Sequence, residues 1–88
     1  MELKFKGSFK HDLQKCNRTI VRAVYETTLN IAAARGLEQI NNLKKLRKFN
    51  THYRIKVAND YRIGLVIRKR TIWFVRIGHR SIFYKKFP

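Results

Sequence analysis

The sequence predicts an α+β fold in which an N-terminal strand and a two-helix hairpin pack on an antiparallel sheet. Three observations support this fold class. The chain has 88 residues, a length that suits one small domain over residues 1–88. Apolar residues make up 44% of it, which is typical of a folded protein. They recur at helical spacing in the first half, whereas polar and apolar residues alternate in the second half.

The chain begins with a short strand and a first helix. Residues 2–6 alternate between polar and apolar side chains, which predicts a strand with Leu3 and Phe5 directed inward. Ser8 stands where a side chain caps a helix, and the helix is predicted over residues 9–16.

A second helix is predicted to follow, with Asn17 as its cap and Gly36 as its C-terminal stop. Its apolar residues recur at the spacing of one helix face. We interpret this stripe as core, and its members are Ile20, Val21, Val24, Leu29, Ile31 and Ala32.

The period changes after the helices. Residues 43–49 form a basic connector, predicted as a turn of helix or an irregular segment. Strands are then predicted over residues 51–57, 61–68 and 71–77, with a turn at residues 58–60. The three strands form an antiparallel meander whose polar face is expected to be open and cationic.

The aromatic residues of the last strand and the tail receive separate predictions. Trp73 is interpreted as a core residue of a central strand, although an exposed tryptophan also stacks on nucleic-acid bases. Alternation in the tail places either Phe83 or Tyr84 inward, and we expect Phe83 to be buried.

The charge is strongly positive and uneven. There are 21 Lys and Arg residues against 5 Asp and Glu residues, a net charge of +16. Residues 1–43 carry +3, whereas residues 44–88 carry +13 with Asp60 as their only acid. A compact protein with this charge repels itself, and a polyanion or an acidic protein relieves the repulsion. We therefore expect the second half to bind the polyanion.

Composition excludes several classes of protein. Cys16 is the only cysteine, so an internal disulfide and a multi-cysteine zinc site are ruled out. The N-terminus lacks the apolar run of a signal peptide, and no stretch approaches the length of a membrane span. We expect a cytoplasmic protein with no membrane partner.

Four segments carry a resemblance to a known family: Leu43-Lys-Lys-Leu, His52-Tyr-Arg-Ile-Lys-Val, Asp60-Tyr-Arg-Ile, and Val75-Arg-Ile-Gly-His-Arg with Tyr84 five residues after His79. In this order they resemble the RelE/ParE superfamily of bacterial toxins from toxin–antitoxin pairs, in particular its RelE-like mRNA interferases. The chain departs from the family in its longer turn at residues 58–60. It also has Arg54 where the ribonuclease branch has a lysine.

The resemblance implies the toxin of a type II toxin–antitoxin system, which cuts mRNA in the ribosomal A site and needs no cofactor. It also implies an acidic, partly disordered antitoxin as partner, in a complex that binds its operator DNA. Arg54 and Lys56 match the paired basic residues of the family's first long strand. Arg62, Arg80 and Tyr84 match its strand arginine, its late arginine and its C-terminal tyrosine.

Metal-free RNA cleavage requires a base for the ribose 2′-hydroxyl, donors for the phosphate and an acid for the leaving oxygen. Carboxylates are nearly absent from the second half, so a metal-dependent nuclease is disfavoured. Arg62 and Arg80 are the expected phosphate clamp. Lys56 is the expected base, because neighbouring positive charges disfavour its protonated form. Either His79 or Tyr84 is the expected acid.

Further RNA contacts are predicted at basic residues of the same half: Arg54, His52, Lys44, Lys45, Arg68, Arg76 and Lys85. The strand charges have a plainer interpretation as the solvated face of a sheet. Two other functions also remain open. One is a gyrase-poisoning toxin of the same fold without nuclease activity. The other is a small ribosomal or RNA-binding protein, whose phosphate contacts alone explain the charge.

Overall fold

The computed structural model describes residues 1–88 and confirms the α+β fold class. The elements are β1 (Glu2–Phe5), α1 (Gly7–Gln14), α2 (Arg18–Ala33), a 3-10 helix (Leu37–Gln39), β2 (Leu43–Lys45), β3 (His52–Val57), β4 (Tyr61–Arg68), β5 (Thr71–His79) and α3 (Arg80–Lys86). The strands form one sheet in the order β1-β5-β4-β3-β2. β1 runs parallel to β5 and the other pairs are antiparallel, so the sheet is mixed.

The main apolar core lies between the sheet and the first two helices. Phe9 of α1 is buried and packs edge-on against Phe74 of β5, with ring centroids 5.4 Å apart. The Asn17 side chain accepts a hydrogen bond from the backbone N–H of Ile20 at 3.0 Å, which confirms the predicted cap of α2. None of the helices combines the length and the apolar character that a membrane span requires.

Both predicted helix boundaries need correction. α1 begins at Gly7 with Lys6 at the capping position, because the Ser8 hydroxyl instead donates to the carbonyl oxygen of Val75 at 2.6 Å. α2 ends at Ala33, and Gly36 precedes the 3-10 helix instead of ending α2.

The predicted stripe of α2 is buried only along a narrow line. Ile20, Val24 and Ile31 face the sheet, whereas Val21 is 38% exposed and Leu29 is 51% exposed. Ala32 is also exposed. Helical spacing identifies an apolar face but does not give the width of the contact with the sheet.

Three elements were missed by the sequence prediction, and one of them is the 3-10 helix Leu37–Gln39. The segment predicted as an irregular connector contains β2, whose Leu43 pairs with Ile55 of β3. The last long strand extends to His79, beyond its predicted end, and the tail then forms α3.

The face predicted to be open is partly covered by α3. Phe83 is 1% exposed and Tyr84 is 53% exposed, which confirms the predicted orientation of this pair. The ring of Phe87 lies directly over Gly64, where a Cβ atom would come within 2.6 Å of it. The sheet therefore has apolar layers on both faces, a large one under α1 and α2 and a small one under α3.

A buried carboxylate fastens α1 to the edge of the sheet. Asp12 accepts from Arg76 Nε at 2.9 Å, from Arg76 Nη2 at 3.1 Å, and from the backbone N–H of Ile77 at 3.1 Å. β1 pairs only with residues 71–74, so this amide lies on the part of β5 that β1 leaves open. The Asp12 carboxylate thus supplies the hydrogen-bond acceptor that a neighbouring strand would otherwise provide.

Replacing Asp12 with alanine is expected to lower the free energy of unfolding by about 3 kcal/mol, because a buried amide and a guanidinium lose their acceptor. Urea unfolding followed by circular dichroism measures the change. Glu26→Ala is the matched control, because this carboxylate is exposed on α2 and has no ion pair. Equal stability of the two variants would contradict a fastening role for Asp12.

Candidate nucleic-acid interface

The face of the sheet opposite α1 and α2 carries most of the predicted site residues. Ile55 and Val57 of β3 point into the main core. Because side chains alternate along a strand, Arg54 and Lys56 point to the opposite face. Arg62 of β4 pairs with Lys56 across the sheet and belongs to this face as well.

A cationic cleft lies between α3 and the β2–β3 edge of this face. It consists of two adjoining hollows of about 220 and 240 Å³, which share Lys44 and Arg54. We call it the Tyr84 cleft, and its polar lining is Asn42, Lys44, Lys45, Arg47, Arg54, Lys56 and Tyr84. Arg47 was missed by the sequence prediction, although it lies within the basic segment that signalled this region.

Both Tyr84 and Arg54 are held in place by neighbouring groups. The buried Phe83 anchors α3, and the Tyr84 ring packs edge-on against it with centroids 5.0 Å apart. Arg54 Nη1 donates to the carbonyl oxygen of Asn42 at 3.0 Å, just before β2. The tyrosine and the guanidinium are therefore directed to the same cleft from different elements.

Arg62 is buried to 8% exposure and has no carboxylate partner. Its Nη1 donates to the carbonyl oxygens of Asn59 at 2.7 Å and Tyr61 at 3.0 Å. Its Nε is buried and has no hydrogen-bond partner. An unsatisfied buried donor on a charged group is unfavourable, and this Nε can reach an anion only if the Arg62 side chain moves outward.

Arg80 starts α3 beside the turn that joins β3 to β4. Its backbone N–H donates to the carbonyl oxygen of Asp60 at 2.7 Å, and its Nε lies 3.6 Å from an Asp60 carboxylate oxygen. Both side chains of this ion pair are mostly exposed, so the pair contributes little to stability. The contact nevertheless holds the start of α3 close to the end of β3.

The basic side chains are mostly unneutralised. Only Asp12–Arg76 and Asp60–Arg80 form ion pairs, whereas the chain has 21 Lys and Arg residues. No group of three or more His, Cys, Asp or Glu side chains is arranged to hold a metal ion. The chemistry available in the Tyr84 cleft is that of ammonium, guanidinium and phenol groups.

Several predicted site residues lie outside the Tyr84 cleft, including Arg62 and Arg80, which line neither of its hollows. Arg76 is bound to Asp12, and Arg68 and His52 line a separate groove on the same face. Lys85 is exposed on α3. His52 is enclosed by aromatic rings, with Phe49 at 5.0 Å and Phe87 at 5.5 Å between centroids.

His79 also lies apart from Tyr84. Its Nδ1 accepts from the backbone N–H of Ser81 at 3.1 Å and caps α3, while its ring packs edge-on against Tyr61. It lines a different cavity, of about 160 Å³, together with Cys16. Burial, and to a lesser extent the charge of Asp12, raises the pKa of the Cys16 thiol, so this cavity contains no reactive thiolate at neutral pH.

Known proteins share this fold and chain length. Toxin RelE3 of Methanocaldococcus jannaschii is 32% identical over a 91-residue alignment that covers all of both chains. The RelE structure in the RelB–RelE antitoxin–toxin complex from Methanococcus jannaschii matches with a TM-score of 0.81 and 28% identity, over 97% of this chain and 99% of that one. YafQ from Escherichia coli matches with a TM-score of 0.70 and 18% identity, over 94% and 97%, and so shows the fold alone.

The fold and these relatives define the class of protein, a small toxin of the RelE/ParE superfamily. The family model for the ParE toxin of the type II toxin–antitoxin system parDE matches residues 3–84, and the chain belongs to this family. It is therefore the toxin of a type II toxin–antitoxin system.

Proposed function

We propose that this toxin is an endoribonuclease that cleaves mRNA on the ribosome by attack of a ribose 2′-hydroxyl on the adjacent phosphate, without a metal ion. The observation that carries the proposal is the Tyr84 cleft, where one phenol lies among basic side chains and no carboxylate. An anionic RNA strand is attracted by this lining, and the phenol can exchange a proton with it.

The phosphate is assigned to the guanidinium groups. Arg54 lines the cleft, and Arg62 and Arg80 both contact the turn that joins β3 to β4. Guanidinium groups bind phosphate oxygens in pairs and stay charged, so they stabilise the negative charge that develops on phosphorus. A well-directed donor of this kind contributes roughly 3 kcal/mol to the transition state.

The proton transfers are assigned to Lys56 and Tyr84. Lys56 is exposed in the cleft beside Arg54 and is the proposed acceptor of the 2′-hydroxyl proton. Tyr84 lines the same cleft and is the proposed donor to the leaving 5′-oxygen. It is preferred over His79, whose Nδ1 caps α3 and whose ring borders another cavity.

The proposal includes an acidic antitoxin that covers the cationic face. The relatives from Methanococcus jannaschii and Mycobacterium tuberculosis were solved as RelB–RelE and RelBE2 complexes, which supports a cognate partner for this chain. Charge complementarity favours an acidic segment that folds on binding. The resulting complex is proposed to bind its operator DNA.

Two experiments test the proposal, and both map mRNA 5′ ends: one after brief expression of the toxin in cells, the other after incubation of purified toxin with mRNA in the presence or absence of ribosomes. We expect new ends that require ribosomes, and we expect the Arg54→Ala/Lys56→Ala variant to produce few of them. The matched control is Arg18→Ala/Arg22→Ala, which removes the same charge from exposed positions on α2. Equal loss of cutting in both variants would indicate a general charge effect and contradict the assigned site.

Inhibition of DNA gyrase is the second candidate function, because the matching family model describes the ParE toxin of parDE. It predicts DNA breaks after expression while transcripts remain intact. Intact transcripts together with DNA breaks would replace the nuclease proposal.

A further inference from the structure

A second groove on the sheet face that carries α3 contains the only tryptophan of the chain. Ile72 and Phe74 point into the main core, so Trp73 between them points to the opposite face, where it is half-buried and not in the core as the sequence suggested. The cavity beside it measures about 370 Å³. We call it the Trp73 groove, and its lining is Lys6, His52, Val66, Arg68, Trp73 and Val75.

Two ammonium groups lie over the indole ring. Lys4 is the partner of Trp73 in the β1–β5 pairing, and its Nζ lies 5.2 Å from the ring centroid. Lys6 Nζ lies 4.6 Å from it. Neither lysine forms an ion pair. Each ammonium is attracted to the ring, but the two repel each other, and an anion placed between them relieves that repulsion.

We infer that the Trp73 groove is a second RNA-contact site, which stacks one base of a single-stranded RNA on the indole and holds an adjacent phosphate with Lys4, Lys6 and Arg68. A nucleotide supplies both a flat ring and a negative charge, which are the two features that the groove complements. An acidic peptide supplies only the charge. The inference rests on the proposed function in that the ligand is the mRNA strand bound in the Tyr84 cleft.

The positions of the two sites support a single continuous strand. His52 lines the Trp73 groove and Arg54 lines the Tyr84 cleft, and they lie two residues apart on the same face of β3. This separation is about 7 Å. The ring of Phe87 over Gly64 marks the boundary between the two sites. An RNA strand of a few nucleotides can therefore contact both sites, with the base on Trp73 outside the cleaved step.

The fluorescence of Trp73 reports on this groove alone, because the chain has no other tryptophan. The probe is a short 2′-O-methyl oligoadenylate, which lacks the attacking hydroxyl and cannot be cleaved. The control probes are an abasic oligomer of equal length and charge, and an oligoglutamate peptide. We expect strong quenching by the oligoadenylate and little by either control. Equal quenching by the abasic oligomer, or stronger quenching by the peptide, would overturn the inference.

Two variants test the residues. Lys4→Ala/Lys6→Ala should lower the slope of log affinity against log salt by about 1.4, since two phosphate contacts with a single strand are lost. Trp73→Leu should weaken binding of a fluorescein-labelled oligoadenylate roughly tenfold, and binding of the abasic oligomer should not change. An unchanged affinity for the oligoadenylate in a folded Trp73→Leu variant would contradict base stacking.

The outcome is separable from that of the nuclease proposal. Quenching requires no cleavage and should persist in a Tyr84→Ala variant. Quenching without any mRNA cutting would leave the groove as an RNA site and reject the enzyme. Cutting of mRNA without quenching would support the nuclease proposal and reject the Trp73 groove as an RNA site.

Discussion

Replacing Tyr84 with alanine is expected to lower the rate of mRNA cleavage roughly 100-fold or more, because the leaving oxygen loses its proposed proton donor. The side chain is half exposed and packs against only one edge of Phe83, so we expect little loss of stability. The measurement is single-turnover cleavage of mRNA on programmed ribosomes, together with urea unfolding of the same samples. Antitoxin binding by the variant should be retained.

Two companion variants define the role of the phenol. Tyr84→Phe keeps the ring and removes the hydroxyl, and we expect it to be as impaired as Tyr84→Ala. Wild-type cleavage by Tyr84→Phe would instead assign Tyr84 to base stacking. Tyr25→Ala is the matched control, because Tyr25 is an exposed tyrosine on α2, in the layer on the other side of the sheet. It should cleave at the wild-type rate.

Replacing Gly64 with alanine is expected to destabilise the protein by about 2 kcal/mol and to impair cleavage as well. The added methyl group would lie 2.6 to 2.7 Å from three ring atoms of Phe87, so the ring must move. Phe87 directly follows α3, and its backbone N–H donates a hydrogen bond to the carbonyl oxygen of Phe83 at 3.0 Å. Displacing it shifts the helix that carries Tyr84. Urea unfolding and the cleavage assay measure the two effects.

The cause of this effect can be isolated with two further variants. Gly7→Ala is the control, since no atom lies within 4 Å of the position of its new methyl group, and it should be neutral or slightly stabilising. Phe87→Ala removes the ring. In the Gly64→Ala/Phe87→Ala double variant the losses should be less than additive by about 1 kcal/mol or more. Strict additivity would mean that the two residues do not compete for space.

β3 and β4 could be predicted from the sequence because polar and apolar residues alternate along most of each strand and a turn follows each one. β5 could be predicted because an apolar run over residues 72–75 follows a turn, as is typical of a central strand. β4 has the predicted bounds, and β3 differs by one residue at its start. β2 could not be predicted in the same way. It has only three residues, and its conformation depends on pairing with β3, which is a tertiary contact.

α3 was missed although the sequence contained a signal for it. Phe83 and Phe87 are four residues apart, which is the spacing of one helix face, and both are buried. The helix is short and its cap is a histidine, a residue type that is not a common helix start. The covered part of the sheet, and the position of Tyr84 in the same hollow as Arg54, therefore became known only from the structure.

The residues that belong to the cationic face could be predicted more fully than which of their side chains lie together. Alternation along β3 placed Arg54 and Lys56 on one face, and the structure agrees. Alternation carries no information about which partner each side chain meets. Two basic residues of β5 illustrate the point. Arg76 is neutralised by Asp12 of α1, and His79 caps α3.

The parallel pairing of β1 with β5 has a consequence for how the toxin is made. Leu3 of β1 pairs with Ile72 of β5, which lies 69 residues later in the sequence. The sheet is complete only after β5 has been synthesised, and contacts this distant in sequence form slowly. α3, with Tyr84, is translated later still. Because α3 packs on β5, we expect the Tyr84 cleft to form only late in folding, after β5 has joined the sheet.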